Sequence, residues 1–160
     1  MKKTFSIMFL LSAFMLFTSA AQSQITVSGS TGADGSYATL TDVGGAFLAI
    51  NSSAQTGNNI IVSVTGDVLT ETGANALNDG GWTSLTVSPS GGAARTISGS
   101  FIGHLISLNG ADNVTINGLN TGGNALTISN AALGASSTIR FAADASNNTV
   151  TNCTVLGSTG

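Results

Sequence analysis

After its third residue the chain contains no lysine. Arg95 and Arg140 are the only cations among the 139 residues that follow Ala21, and they stand against seven carboxylates, a net charge of −5. So little positive charge cannot neutralise a phosphate backbone, which excludes nucleic-acid binding. A single cysteine, Cys153, cannot close a disulfide within the chain. With one cysteine and one histidine, His104, a zinc site would lack its three or four ligands. Helical bundles need leucine, alanine, glutamate and lysine, whereas glycine, asparagine, serine and threonine fill 72 of those 139 positions. The apolar residues that remain are placed periodically, which argues against disorder.

The one long apolar run stands at the start. Lys2 and Lys3 precede an uncharged stretch from Phe5 to Phe17, followed by Thr18-Ser19-Ala20-Ala21. A charged head, an apolar middle and a small-residue cleavage site describe a signal peptide over residues 1–21, cut after Ala21. The apolar stretch is shorter than the roughly 20 residues needed to span a bilayer, so no membrane span is expected after cleavage. The protein is therefore expected to be exported, either secreted or held at the cell surface. Cys153 is expected to serve as a small buried hydrophobe.

Behind the leader, short β-branched segments recur. Thr127-Ile128-Ser129-Asn130-Ala131-Ala132-Leu133 matches Thr149-Val150-Thr151-Asn152-Cys153-Thr154-Val155 in character at an offset of 22. The ladder Val62, Leu85, Ile106, Ile128, Val150 extends that spacing, and a second runs through Ile97, Ile116 and Ile139. Each segment alternates and is bounded by glycine or asparagine, as in Asn109-Gly110 and Asn117-Gly118, which reads as a strand. A fixed period predicts a parallel β-helix, a solenoid of about 22 residues per rung with like residues stacked, over residues 60–160. A two-sheet sandwich is the second choice. Asn130 and Asn152 would each take a left-handed bend and hydrogen-bond up the stack. The stretch 22–59 differs and is expected to cap the coil. In it Thr41-Asp42 would start a short helix to Asn51, with Val43, Phe47 and Ile50 on one face.

The series Asp34-Gly35-Ser36-Tyr37-Ala38-Thr39-Leu40, the helix, Ile60-Ile61-Val62-Ser63-Val64-Thr65-Gly66 and Val68-Leu69-Thr70-Glu71 resembles the opening of pectin lyase-like right-handed β-helix proteins. Pectin methylesterases have a similar start. The stretches Pro89–Gly99 and Leu108–Asn120 are similar to β-helix regions of large secreted Bacteroidetes surface proteins. The resemblance covers roughly residues 25–160 and implies fold and compartment. At the position of Glu71 it implies a structural role. The fold it implies hosts lyases, esterases, adhesins and stalks alike, so it does not fix an activity.

Candidate chemistry is sparse. Asp112 and Asp144 sit in similar loops and could face a cation or a sugar together, although no calcium motif occurs and no cofactor is expected. Arg140 should point opposite to Ile139, outward, where it could meet a carboxylate. Trp82 could stack on a sugar ring, but an edge-of-core tryptophan is the commoner role. Outward threonines do not form a continuous Thr-x-Thr array, which argues against ice binding. The expected function is a structural stalk or an adhesin-like surface. Its partners would be extracellular polysaccharide, other surface proteins or further rungs of the same chain. The alternative is the N-terminal part of a carbohydrate-active β-helix enzyme whose catalytic rungs lie beyond residue 160.

Overall fold

The computed structural model describes residues 22–158; the expected leader, residues 1–21, lies outside them. The chain is mostly β, with parallel sheets. The first sheet is built from β1 (Ile25–Ser28), β2 (Gly35–Tyr37), β3 (Asn59–Val64), β6 (Ser84–Pro89), β9 (Val114–Asn117) and β12 (Thr149–Thr151). A second holds β4 (Val68–Glu71), β7 (Ala94–Gly99), β10 (Ala125–Asn130) and β13 (Cys153–Leu156). The third holds β5 (Leu77–Asn78), β8 (His104–Asn109) and β11 (Ser137–Ala142). Among the described residues a single short helix, α1 (Ala46–Asn51), precedes β3.

From β3 onward, consecutive strands enter the three sheets in strict rotation, and each strand pairs in parallel with those one lap before and after. Alternation sets which side faces in. In β6, Leu85, Val87 and Pro89 are buried while Ser84, Thr86 and Ser88 are half-exposed, the two-residue period of a strand with one covered face. The inward residues of all three sheets, among them Ile60, Val62, Leu85, Ile97, Ile106 and Ile128, form one apolar cluster. Each aliphatic side chain so buried contributes about 1.5–3 kcal/mol.

The expected stacking register is wrong. Ile106, Ile128 and Val150 lie in three different sheets. Ile128 instead pairs with Ile97 and Val155, Ile106 with Ile139, and Val150 with Ile116. Partners are 25 residues apart between Ile60 and Leu85, and 34 apart between Thr115 and Thr149. The second ladder, Ile97, Ile116 and Ile139, is likewise spread over three sheets. A step of 22 advances about two strands rather than a full lap of three. The asparagines divide as well. Asn152 takes a left-handed φ of 56° and donates to Asn117 Oδ1 at 3.0 Å. Asn130 is not left-handed; its buried side chain bonds Phe101 N–H, Phe101 O and Ser137 O at 3.0–3.1 Å. Outward threonines do align, Thr86 with Thr115 and Thr149, and Thr96 with Thr127 and Thr154. Two residues along, however, stand Ser88, Asn117 and Thr151, or Ser98, Ser129 and Leu156, so no uniform Thr-x-Thr array results.

The helix is shorter than expected. Gly44 adopts φ +85°, which no helix interior accommodates, and Gly45 becomes the residue before the first turn. Val43 therefore lies outside the helix and is 86% exposed, whereas Phe47 and Ile50 are buried as expected. Asn51 pins the helix end to the strand beside it, donating to Ala76 O at 2.8 Å and accepting from Asn78 N–H at 3.0 Å. The unpaired edge of β5 is thus covered.

Along the opposite edge, β11, β12 and β13 are the outermost strands of their sheets, and Phe141, Val150, Val155 and Leu156 are exposed there. Uncharged, β-prone and free of proline, Thr149–Leu156 has the composition that templates strand addition. Residues 22–160 prepared alone should therefore self-associate as concentration rises. Sedimentation at several concentrations measures this, and a monomer throughout would show the edge to be unreactive.

Candidate functional site

The sequence candidates are placed as follows. Trp82 is 5% exposed and belongs to the core cluster. Its indole N–H donates to the Asp112 carbonyl at 2.7 Å, so neither ring face nor polar edge is offered to a ligand. Asp112 Oδ1 accepts from Ser146 N–H at 2.6 Å and from Ser146 Oγ at 2.9 Å. Because Asn109 pairs with Ala142, the loops after β8 and β11 are neighbours, and Asp112 and Asp144 do share one side. Asp112, however, closes onto the Asp144 loop through Ser146, while Asp144 is exposed at φ 60°. Arg140 is exposed on β11, beside Ser107 of β8, and Ile139 turns toward the core. No group of three or more His, Cys, Asp or Glu side chains among the described residues could hold a metal ion.

Other titratable groups are engaged in the fold. His104 Nδ1 lies 2.8 Å from Ser137 Oγ across the β8–β11 pair. Cys153 packs half-buried against the core; burial pushes its thiol up, so it stays protonated at neutral pH and is a poor nucleophile. The Asp34 carboxyl is lowered from its ordinary value because Ser30 donates both its hydroxyl and its N–H. Glu71 is the most buried carboxylate, 2% exposed. One oxygen accepts from Leu40 N–H at 2.5 Å; the other accepts from Thr41 N–H at 2.8 Å and from the Thr41 hydroxyl. Burial outweighs these bonds and holds its pKa above the ordinary value. Next to it, Asp42 Oδ1 takes Thr72 N–H and Oγ1 at 2.7 and 2.6 Å. Residues 40–42 are thus strapped to the end of β4.

A site that the sequence did not disclose lies where the first sheet turns into the second. An open groove of about 590 Å³ runs between Gln22 and Gln24, ahead of β1, the β3–β4 link at Thr65 and Asp67, and Arg95 on β7. Asp67 Oδ1 accepts from Thr96 N–H at 2.9 Å. Arg95 Nε and Nη2 both reach Ser90 O at 3.4 Å. A smaller pocket of about 330 Å³, between Ser52, Ser53, Asp79 and Gly80, has no cationic side chain in its wall.

No protein-family model, curated protein or solved structure matches the chain.

Chemically, the one hydroxyl within hydrogen-bond reach of the His104 imidazole is that of Ser137, and no carboxylate bonds that ring among the described residues. The described residues do supply one polar groove with a guanidinium on its wall.

Proposed function

We propose that this chain is an exported segment of a bacterial cell-surface or secreted protein, built as a right-handed parallel β-helix. It acts as a stalk that carries a binding surface, with extracellular polysaccharide as the partner class. The observation that carries the reading is the rotation of consecutive strands through three parallel sheets around a single apolar interior, an architecture that extends by whole laps and displays long side surfaces. The carboxylates at Glu71, Asp42 and Asp112 are engaged in holding loops to strands, which supports a structural role over a catalytic one. The pattern of residues 1–21 supports export, and the resemblance to pectin lyase-like proteins supports both fold and compartment.

Export is tested by the mature N-terminus. Mass spectrometry of the protein recovered outside the cell should place it at Gln22 or within about three residues. Recovery of intact Met1 from a membrane fraction would overturn the reading.

A further inference from the structure

We propose that the groove beside Arg95 binds an anionic, hydroxyl-rich ligand: a sugar bearing a carboxylate or a sulfate ester. The proposal rests on the binding-surface reading above and gives that surface a place and a ligand class. The first observation is the register of Arg95. It pairs with Leu126, which is buried, and it stands two residues before Ile97, also buried, so strand periodicity asks for an aliphatic side chain there. A guanidinium occupies that position instead, in a chain that is otherwise strongly acidic.

The second observation is how little holds that guanidinium. Its two hydrogen bonds, both to Ser90 O, are 3.4 Å long, outside the 2.7–3.2 Å of a good N–H···O bond. Its other N–H groups have no protein partner among the described residues, and the side chain lines the groove. A planar fork of N–H groups matches the paired oxygens of a carboxylate or a sulfate, and such charge-assisted bidentate pairs are about twice as strong as neutral hydrogen bonds.

The rest of the wall decides what carries the anion. Gln22, Gln24 and Thr65 offer amides and a hydroxyl, and Asp67 keeps one oxygen free of the Thr96 bond. These groups complement sugar hydroxyls, and none complements an alkyl tail or an aromatic ring. The wall is also fixed in place. Gln24 O accepts from Thr65 N–H at 2.8 Å and from Gly66 N–H at 3.2 Å. The Gln24 amide lies directly over Gly66, where a β-carbon would overlap it.

Saturation-transfer NMR on the purified protein tests this with three probes: glucuronate, glucose 6-sulfate and uncharged glucose. At least one anionic sugar should bind with a Kd of about 1 mM, as expected for one sugar held by one ion pair. Glucose should bind at least about tenfold more weakly. The tighter of the two anions identifies the group. Arg95→Gln should weaken binding about tenfold or more, and Arg95→Lys, which keeps charge but loses the fork, by an intermediate factor. Arg140→Gln, on another sheet, should leave the Kd within about twofold, and matched melting curves exclude misfolding of any variant. Equal binding of all three sugars, undiminished binding by Arg95→Gln, or no binding of either anion would each overturn the proposal. None of these outcomes bears on the mature N-terminus, so the export reading fails or stands separately.

Discussion

Ile128→Asp should destabilise the protein by at least about 4 kcal/mol, while Ser129→Asp, one residue on, should leave its stability within about 0.5 kcal/mol. Ile128 is fully buried between Ile97 and Val155, its partners in adjacent laps. An aspartate there gives up the isoleucine contacts and places an unpaired carboxylate in the interior, together at least about 4 kcal/mol. That is a large share of the roughly 5–15 kcal/mol by which a domain is stable. Ser129 points outward, half-exposed, with Ser98 and Leu156 as its register partners, so a carboxylate there meets water and no like charge. Denaturant melts of both variants against the parent measure the difference. Similar losses at the two positions would mean that the inward and outward faces are assigned wrongly.

The second large effect belongs to Glu71. Glu71→Ala should destabilise by about 3 kcal/mol or more, because Leu40 N–H, Thr41 N–H and the Thr41 hydroxyl all lose their acceptor in a buried place. The parent should also respond to pH in an unusual direction. A carboxyl whose folded-state pKa is raised takes up protons in the folded state that the unfolded chain has already released. Its contribution to stability is then fully present below the ordinary value of 4.5 and is lost as pH rises through the higher folded value. As the solution is acidified from neutral toward 4.5, the melting temperature should therefore rise. Asp34 works in the opposite sense, but only as pH falls below its ordinary value of 3.8, outside that window. Glu71→Gln, which cannot titrate, should flatten the profile. A parent that loses stability over that acidification would show that hydrogen bonding, and not burial, governs this carboxyl.

The strands were legible because their signal is local. Leu85-Thr86-Val87-Ser88 and Leu126-Thr127-Ile128-Ser129 announce themselves by alternation alone. Their partnership was not legible. The three faces share one composition, β-branched residues ended by asparagine or glycine, so Ile128 looks as much like Val150 as like its true partner Ile97. Turn lengths differ from lap to lap, so no constant offset distinguishes them. The helix start failed on a single dihedral: Thr41-Asp42 carries the chemistry of a cap, but its oxygens are taken by Gly73 N–H and Thr72 N–H instead. The groove stayed hidden for the same reason as the register. In sequence Arg95 is merely a cation in a polar stretch; only its pairing with Leu126 marks it as out of place. The outward Arg140 was readable from its neighbour Ile139, and the core place of Trp82 from its residue type, although its partner Asp112 comes from the next lap.

Since every strand from β4 to β11 is ladder-paired only with its counterparts one lap away, disturbance has no direct route between distant laps. Damage at Val155 reaches Ile128 first, then Ile97, and fades with each step. Such a molecule need not melt as one unit, and its amide protons should be released in bands that follow the laps. The same locality frees its evolution. Whole laps can be gained, lost or re-sequenced without renegotiating the remainder, so long as each new inward row finds aliphatic rows above and below.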